Sequence, residues 1–262
     1  MLYSQSLDRE AKRRKISSTE QDGSILASAE MSGSKNVENR TNDDLSSGLR
    51  RTVKAIMDFD MHSDSIAIVT TGIKALIKIY GNPCHPERGS LASWDVITTI
   101  VLAMEKWREN EKVQEYGLAL MQSVLHDLHE ETLVENPLGE CISTILMAMD
   151  NHQNAVKVNR YACAALSNIF SGCDRTLVDC AARFVKPRSG LDMVLKATKK
   201  FPDAELQTAA LGLLHNLFTF PFCNIPIRVS GAITAVAKAL DNNLDDQEIQ
   251  ELGRDVMKCF FP

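Results

Sequence analysis

The chain has 262 residues, a net charge of −5 and a pI of about 5.7; this argues against nucleic acid as a partner, because neutralising phosphates needs a basic face. Hydrophobic residues make up 44% and aromatics only 6%, and Ala, Leu, Ile and Met carry the apolar content, a balance that favours packed helices over sheets. No stretch reaches the ~18 uncharged apolar residues of a membrane span, and the opening MLYSQSLDREAKRRK lacks the apolar core of a secretory signal, so a soluble protein of the cytosol, the nucleus or both is expected.

Residues 1–47 read as a disordered tail. Ten of the first 48 residues are serine and few are large and apolar, so the segment cannot bury enough surface to offset its ordering entropy. Within it Lys12, Arg13, Arg14 and Lys15 form a basic cluster that fits a nuclear localisation signal. Ser17 follows Arg14 and Lys15 at a spacing that basophilic kinases accept, and a phosphate there would add about −1.5 to −2 charges beside the cluster.

From residue 48 onward the sequence repeats itself. Five segments align without gaps, opening at Ile68, Val113, Val158, Leu206 and Ile249, that is 45, 45, 48 and 43 residues apart. Each opens on an aliphatic residue and has a small one four places later: Gly72, Gly117, Ala162, Ala210, Gly253. Ala75-Leu76, Leu120-Met121, Ala165-Leu166, Leu213-Leu214 and Val256-Met257 follow. Apolar residues at i, i+4, i+7, i+8 and i+11 form one stripe of an amphipathic helix, and the small residue in it predicts another helix crossing closely.

Before each of these helices lies a second helical pattern, such as Ile97, Ile100-Val101 and Met104, or Ile233, Val236-Ala237 and Leu240. Polar turns at 62–65, 108–112, 150–154, 199–203 and 241–246 separate the two. Each unit is therefore at least a helical hairpin, which cannot bury its apolar face alone and closes a continuous core only by stacking. The expected fold is an all-α solenoid of about five units, near 48–81, 91–129, 137–172, 174–218 and 222–262. Glu248, Glu251, Arg254, Asp255 and Lys258 give the last helix a polar exterior. The apolar close at Phe260-Phe261-Pro262 could pair with another chain.

Two stretches resemble armadillo repeats. Arg228–Leu244, reading RVSGAITAVAKALDNNL, is similar to the family's passage from the short first helix into the second. Val158–Asp174, reading VNRYACAALSNIFSGCD, is similar to its third helix, with Leu166-Ser167-Asn168-Ile169 matched again by Leu214-His215-Asn216-Leu217. The resemblance covers about 49–262 and implies a concave groove of third helices that holds an extended peptide. Its asparagine positions fall on Lys78, Ser123, Asn168, Asn216 and Cys259, and its tryptophan positions on Lys74, Ala119, Ala164, Gly212 and Asp255. No tryptophan stands at any of them, which departs from the family's mode of binding basic import signals.

One turn earlier stand Tyr116 and Tyr161, which offer large contact area at low entropy cost. The expected binding face is thus Lys74, Lys78, Tyr116, Ser123, Tyr161, Asn168, Asn216 and Asp255. The expected partner is a protein or extended peptide, with no nucleic acid, membrane, small-molecule substrate, cofactor or metal.

Seven cysteines, none spaced as CxxC, read as reduced buried thiols. His126 and His129 lack a third ligand at a recognisable spacing, and no nucleophile motif or phosphate loop is present. The function expected is a non-catalytic interaction scaffold; the alternative is a nuclear transport adaptor whose basic arm occupies its own groove.

Overall fold

The computed structural model describes residues 54, 56, 63–82, 85, 93–127, 138–171, 175–186 and 188–261. The basic cluster Lys12–Lys15 and Ser17 lie outside them. All described residues belong to one compact unit, Arg40–Pro262.

Among the described residues the chain is all-helical, with eleven α-helices and one 3-10 turn. They are α1 Ser63–Tyr80, α2 Ser93–Lys106, α3 Glu111–Asp127, α4 Leu138–Asn151, α5 Val156–Ile169 and α6 Arg175–Phe184. Then come α7 Gly190–Lys200, α8 Ala204–Phe218, the 3-10 turn Pro221–Cys223, α9 Asn224–Val229, α10 Ala232–Asn242 and α11 Gln247–Phe260.

Local chemistry sets the starts of three helices. Asn110, Asp203 and Asp246 each stand three residues before a unit's opening aliphatic residue. Their side chains accept from the amides of Val113 (3.1 Å), Leu206 (2.8 Å) and Ile249 (3.1 Å). Pro202 prevents α7 from continuing, since it offers no amide hydrogen.

Helices α2, α4, α7 and α10 pair with α3, α5, α8 and α11 as hairpins. The long helices also pack on one another in order, α1 on α3, α3 on α5, α5 on α8 and α8 on α11. The shorter partners do likewise, α2 on α4, α4 on α7 and α7 on α10. Two further short helices, α6 and α9, precede the hairpins of the last two units, where the pattern alone had required only a pair.

Two of the small residues sit where helices cross, while Gly72 of the first unit is half-exposed. A Cβ on Gly117 would lie 2.7 Å from Cγ and Sδ of Met104 on α2, and one on Gly253 would lie 2.5 Å from Cδ2 of Leu240 on α10. Ala162 and Ala210, at the equivalent places, are buried.

The first unit departs from the expected register. Its buried set is Val69, Ile73, Leu76, Ile79 and Tyr80, while Ile68 is 43% exposed and Ala75 is exposed. In later units the equivalent side of the long helix packs on the second helix of its hairpin. Of the segment before α1 only residues 54 and 56 are described, and Ile56 is buried. The turn expected at 62–65 is likewise taken up by the first turn of α1, which begins at Ser63.

At the far end Phe260 is buried and meets Phe218 edge to face at 5.0 Å, whereas Phe261 is 69% exposed. No single described helix is long and apolar enough to cross a membrane; α8 with the 3-10 turn and α9 passes that test only as a pair bent by 113°.

Candidate functional site

Each long helix leaves four positions open to solvent at the spacing i, i+4, i+7, i+11. They are Ala67, Thr71, Lys74 and Lys78 on α1; Lys112, Tyr116, Ala119 and Ser123 on α3; and Lys157, Tyr161, Ala164 and Asn168 on α5. Glu205, Ala209, Gly212 and Asn216 follow on α8, and Glu248, Leu252, Asp255 and Cys259 on α11. None of these positions is buried. All eight residues expected at the binding face belong to this stripe. Its centre is lined by Ala119, Ala164 and Gly212, so backbone can be approached there without large side chains in the way.

The tyrosines carry cations. Lys74 Nζ reaches across from α1 to lie 4.6 Å from the Tyr116 ring centre, and Lys112 Nζ lies 5.9 Å from it. The Arg160 guanidinium lies 4.9 Å from the Tyr161 ring centre and pairs with Glu205 of α8 at 2.6 Å.

The two asparagines bind neighbouring helices. Asn168 Nδ2 donates to the Gln122 carbonyl on α3 at 2.8 Å, and Asn216 Nδ2 donates to the Ser167 carbonyl on α5 at 2.8 Å. Ser167 lies in the last turn of α5, and the Ser171 amide that would reach its carbonyl in a longer helix bonds Asn168 O instead. Asn216 thus fills an acceptor that helix termination leaves open. Ser123 Oγ donates back to Ala119 O at 3.2 Å, and Asp255 pairs with Lys258 at 2.9 Å.

Three structural residues escaped the sequence reading because they look like ordinary polar helix positions. Gln114, Gln207 and Gln250 each follow a unit's opening aliphatic residue. Gln114 Nε2 donates to Met104 O (2.8 Å) and Trp107 O (3.1 Å). Gln207 Nε2 donates to Thr198 O (2.8 Å) and Phe201 O (2.7 Å), and Gln250 Nε2 to Leu240 O (2.7 Å) and Asn243 O (3.1 Å). Asn159 does the same in its unit, toward His152 O (3.1 Å) and Ala155 O (2.9 Å). These amides tie each hairpin's turn to its long helix. An amide residue recurring directly after the opening aliphatic residue in four units of five was the available signal.

Glu115 also went unseen. Its side chain is 6% exposed beneath Lys112 (2.7 Å) and Lys157 (3.4 Å), which joins α3 to α5. Burial alone would raise its carboxyl. The hydrogen bond from Lys112 and the charges of Lys112 and Lys157 outweigh that and hold it below its ordinary value.

Cys141, Cys163 and Cys223 are buried and free; burial pushes the first two thiols up to about 12 and the third to about 11. Among the described residues no three His, Cys, Asp or Glu side chains converge as a metal site; His126 is exposed, and His129 lies outside the described residues.

No family model, no curated protein and no solved structure matches this chain.

Proposed function

We propose that this chain is a non-catalytic interaction scaffold. In this reading its hairpins stack as an armadillo-like α-solenoid, and the open stripe of the long helices receives an extended segment of a partner protein. The observation that carries it is the unbroken series α1, α3, α5, α8, α11, each packed on the next, with every stripe position accessible. A side chain already held in place loses little freedom on binding, and the cation-faced Tyr116 and Tyr161 are such anchors. Neighbouring helices lie about 8–10 Å apart and an extended chain rises about 3.3 Å per residue, so one unit would read roughly three residues of a strand laid across the row. The asparagines would meet that strand with their amide oxygens, since Asn216 Nδ2 is engaged by both the carbonyl and the hydroxyl of Ser167.

Photocrosslinking in cells tests the assignment. A benzophenone side chain placed at Ala119 or Ala164 should trap partner protein, and one at Thr234 or Glu105, exposed positions on the shorter helices, should not. Equal trapping from all four positions, or trapping from the shorter helices alone, would refute it.

A further inference from the structure

The stripe is divided by charge. Its α1, α3 and α5 portions hold Lys74, Lys78, Lys112 and Lys157 and no carboxylate; its α8 and α11 portions hold Glu205, Glu248 and Asp255 and no cation. The column that opens the stripe shows the switch in one line: Ala67, Lys112, Lys157, Glu205, Glu248. Partners beside the stripe temper the division without cancelling it. Glu115 is shared by Lys112 and Lys157 and Glu111 also acts on Lys112, yet both lysine side chains remain 57% exposed on the stripe while Glu115 is buried beneath them. Arg160 and Glu205 pair across the boundary, and Lys258 offsets Asp255.

We infer that the α1–α3–α5 portion of this face takes an acidic, extended protein segment whose carboxylates recur about every third residue. This rests on the docking face proposed above and specifies its chemistry. Lys74 and Lys112 flank the Tyr116 ring, so an incoming carboxylate would meet ammonium groups already held over an aromatic surface. The roughly 8–10 Å step between helices matches three residues of extended chain, which sets the spacing of the carboxylates. A nucleic acid is the poorer occupant: its phosphates are uniformly negative, and a strand following the row would run from lysines onto Glu205 and Glu248. A protein segment can change sign along its length where the stripe does.

The test uses the full chain and a fluorescent twelve-residue peptide with Glu at every third position and small apolar residues between, followed by anisotropy. Its comparison probes are the same peptide with Lys for Glu and a single-stranded oligonucleotide. The glutamate peptide should bind best, more weakly as salt rises, and Lys74→Glu/Lys78→Glu should weaken it about tenfold or more. Both lysines are exposed, and Lys74→Gln/Lys78→Gln supplies a second variant that removes their charge without reversing it and leaves the Lys112–Glu115–Lys157 cluster intact. Glu248→Lys/Asp255→Lys should change glutamate-peptide binding less than about twofold. Preferential binding of the lysine peptide, abolished by Glu248→Lys/Asp255→Lys, would overturn the acidic partner and leave the docking face standing. Glutamate-peptide binding indifferent to both lysine variants would overturn the face as well. Tighter binding of the oligonucleotide, or no glutamate-peptide binding at millimolar protein, would each overturn the inference.

Discussion

Gln207 offers the sharpest check on how the hairpins are held. It is 1% exposed, and its amide donates to Thr198 O at 2.8 Å and Phe201 O at 2.7 Å. Thr198 O has no helical donor available, because the residue four places on is Pro202. Gln207→Met keeps the volume and removes both donors. Each carbonyl left dry costs about 1–3 kcal/mol, while Oε1, which has no hydrogen-bond partner among the described residues, is removed at the same time and offsets part of that. A net loss of about 2–4 kcal/mol is expected, which for a body of roughly 200 residues lowers Tm by about 4–16 °C. Circular dichroism at the helical band during heating measures it. Gln207→Glu should lose at least as much at neutral pH, since a carboxylate would face two carbonyls, and should recover part on acidification. A Gln207→Met protein that melts within ~1 °C of wild type would refute the claim that these two bonds hold the turn.

Further outcomes follow from the same packing. Gly117→Leu should destabilise by about 1–3 kcal/mol in urea unfolding, because the Met104 side chain fills the space. Glu115→Gln should lower Tm at pH 7. Since the carboxyl of Glu115 is held below its ordinary value, its stabilisation is complete above the unfolded pKa of about 4.3 and fades as pH falls through the lower folded value, so the gap between variant and wild type should narrow as the protein is acidified below that unfolded value. A gap constant with pH would show that Glu115 acts by shape and not by charge. Asn216→Ala should cost about 1–2 kcal/mol by leaving Ser167 O without its cross-helix donor, read by the same melt. Iodoacetamide with peptide mapping should modify half-exposed Cys180 and Cys259 in the native protein well before Cys141 or Cys163, which should react only on unfolding.

Much of the architecture was legible because it is written locally. The opening aliphatic residues Val113, Val158, Leu206 and Ile249 are all fully buried, and Gly117 and Gly253 lie under a crossing helix as their places in the stripe required. The first unit was misread for a physical reason. Ile68 fits the helical period as well as Val69 does, and only the neighbour on each side decides which of them is covered. The open stripe was legible only in part: Tyr116, Tyr161, Asn168 and Asn216 stand out in the sequence, whereas Lys112 reads as part of a polar turn, Glu248 as polar exterior, and Lys157 and Glu205 as ordinary helix positions.

By itself the sequence determined the helical period, the spacing of the units, the capped starts and the small residues at crossings, since each depends on residues within one or two turns of each other. Only the tertiary structure decided that Gln114, Gln207 and Gln250 face carbonyls of the preceding helix and its turn, that Asn168 and Asn216 reach across to the preceding long helix, and that Glu115 lies under two lysines. Those pairings join residues up to 49 positions apart, and a polar side chain on a helix looks the same in sequence whether water or a neighbour's backbone receives its hydrogen bond.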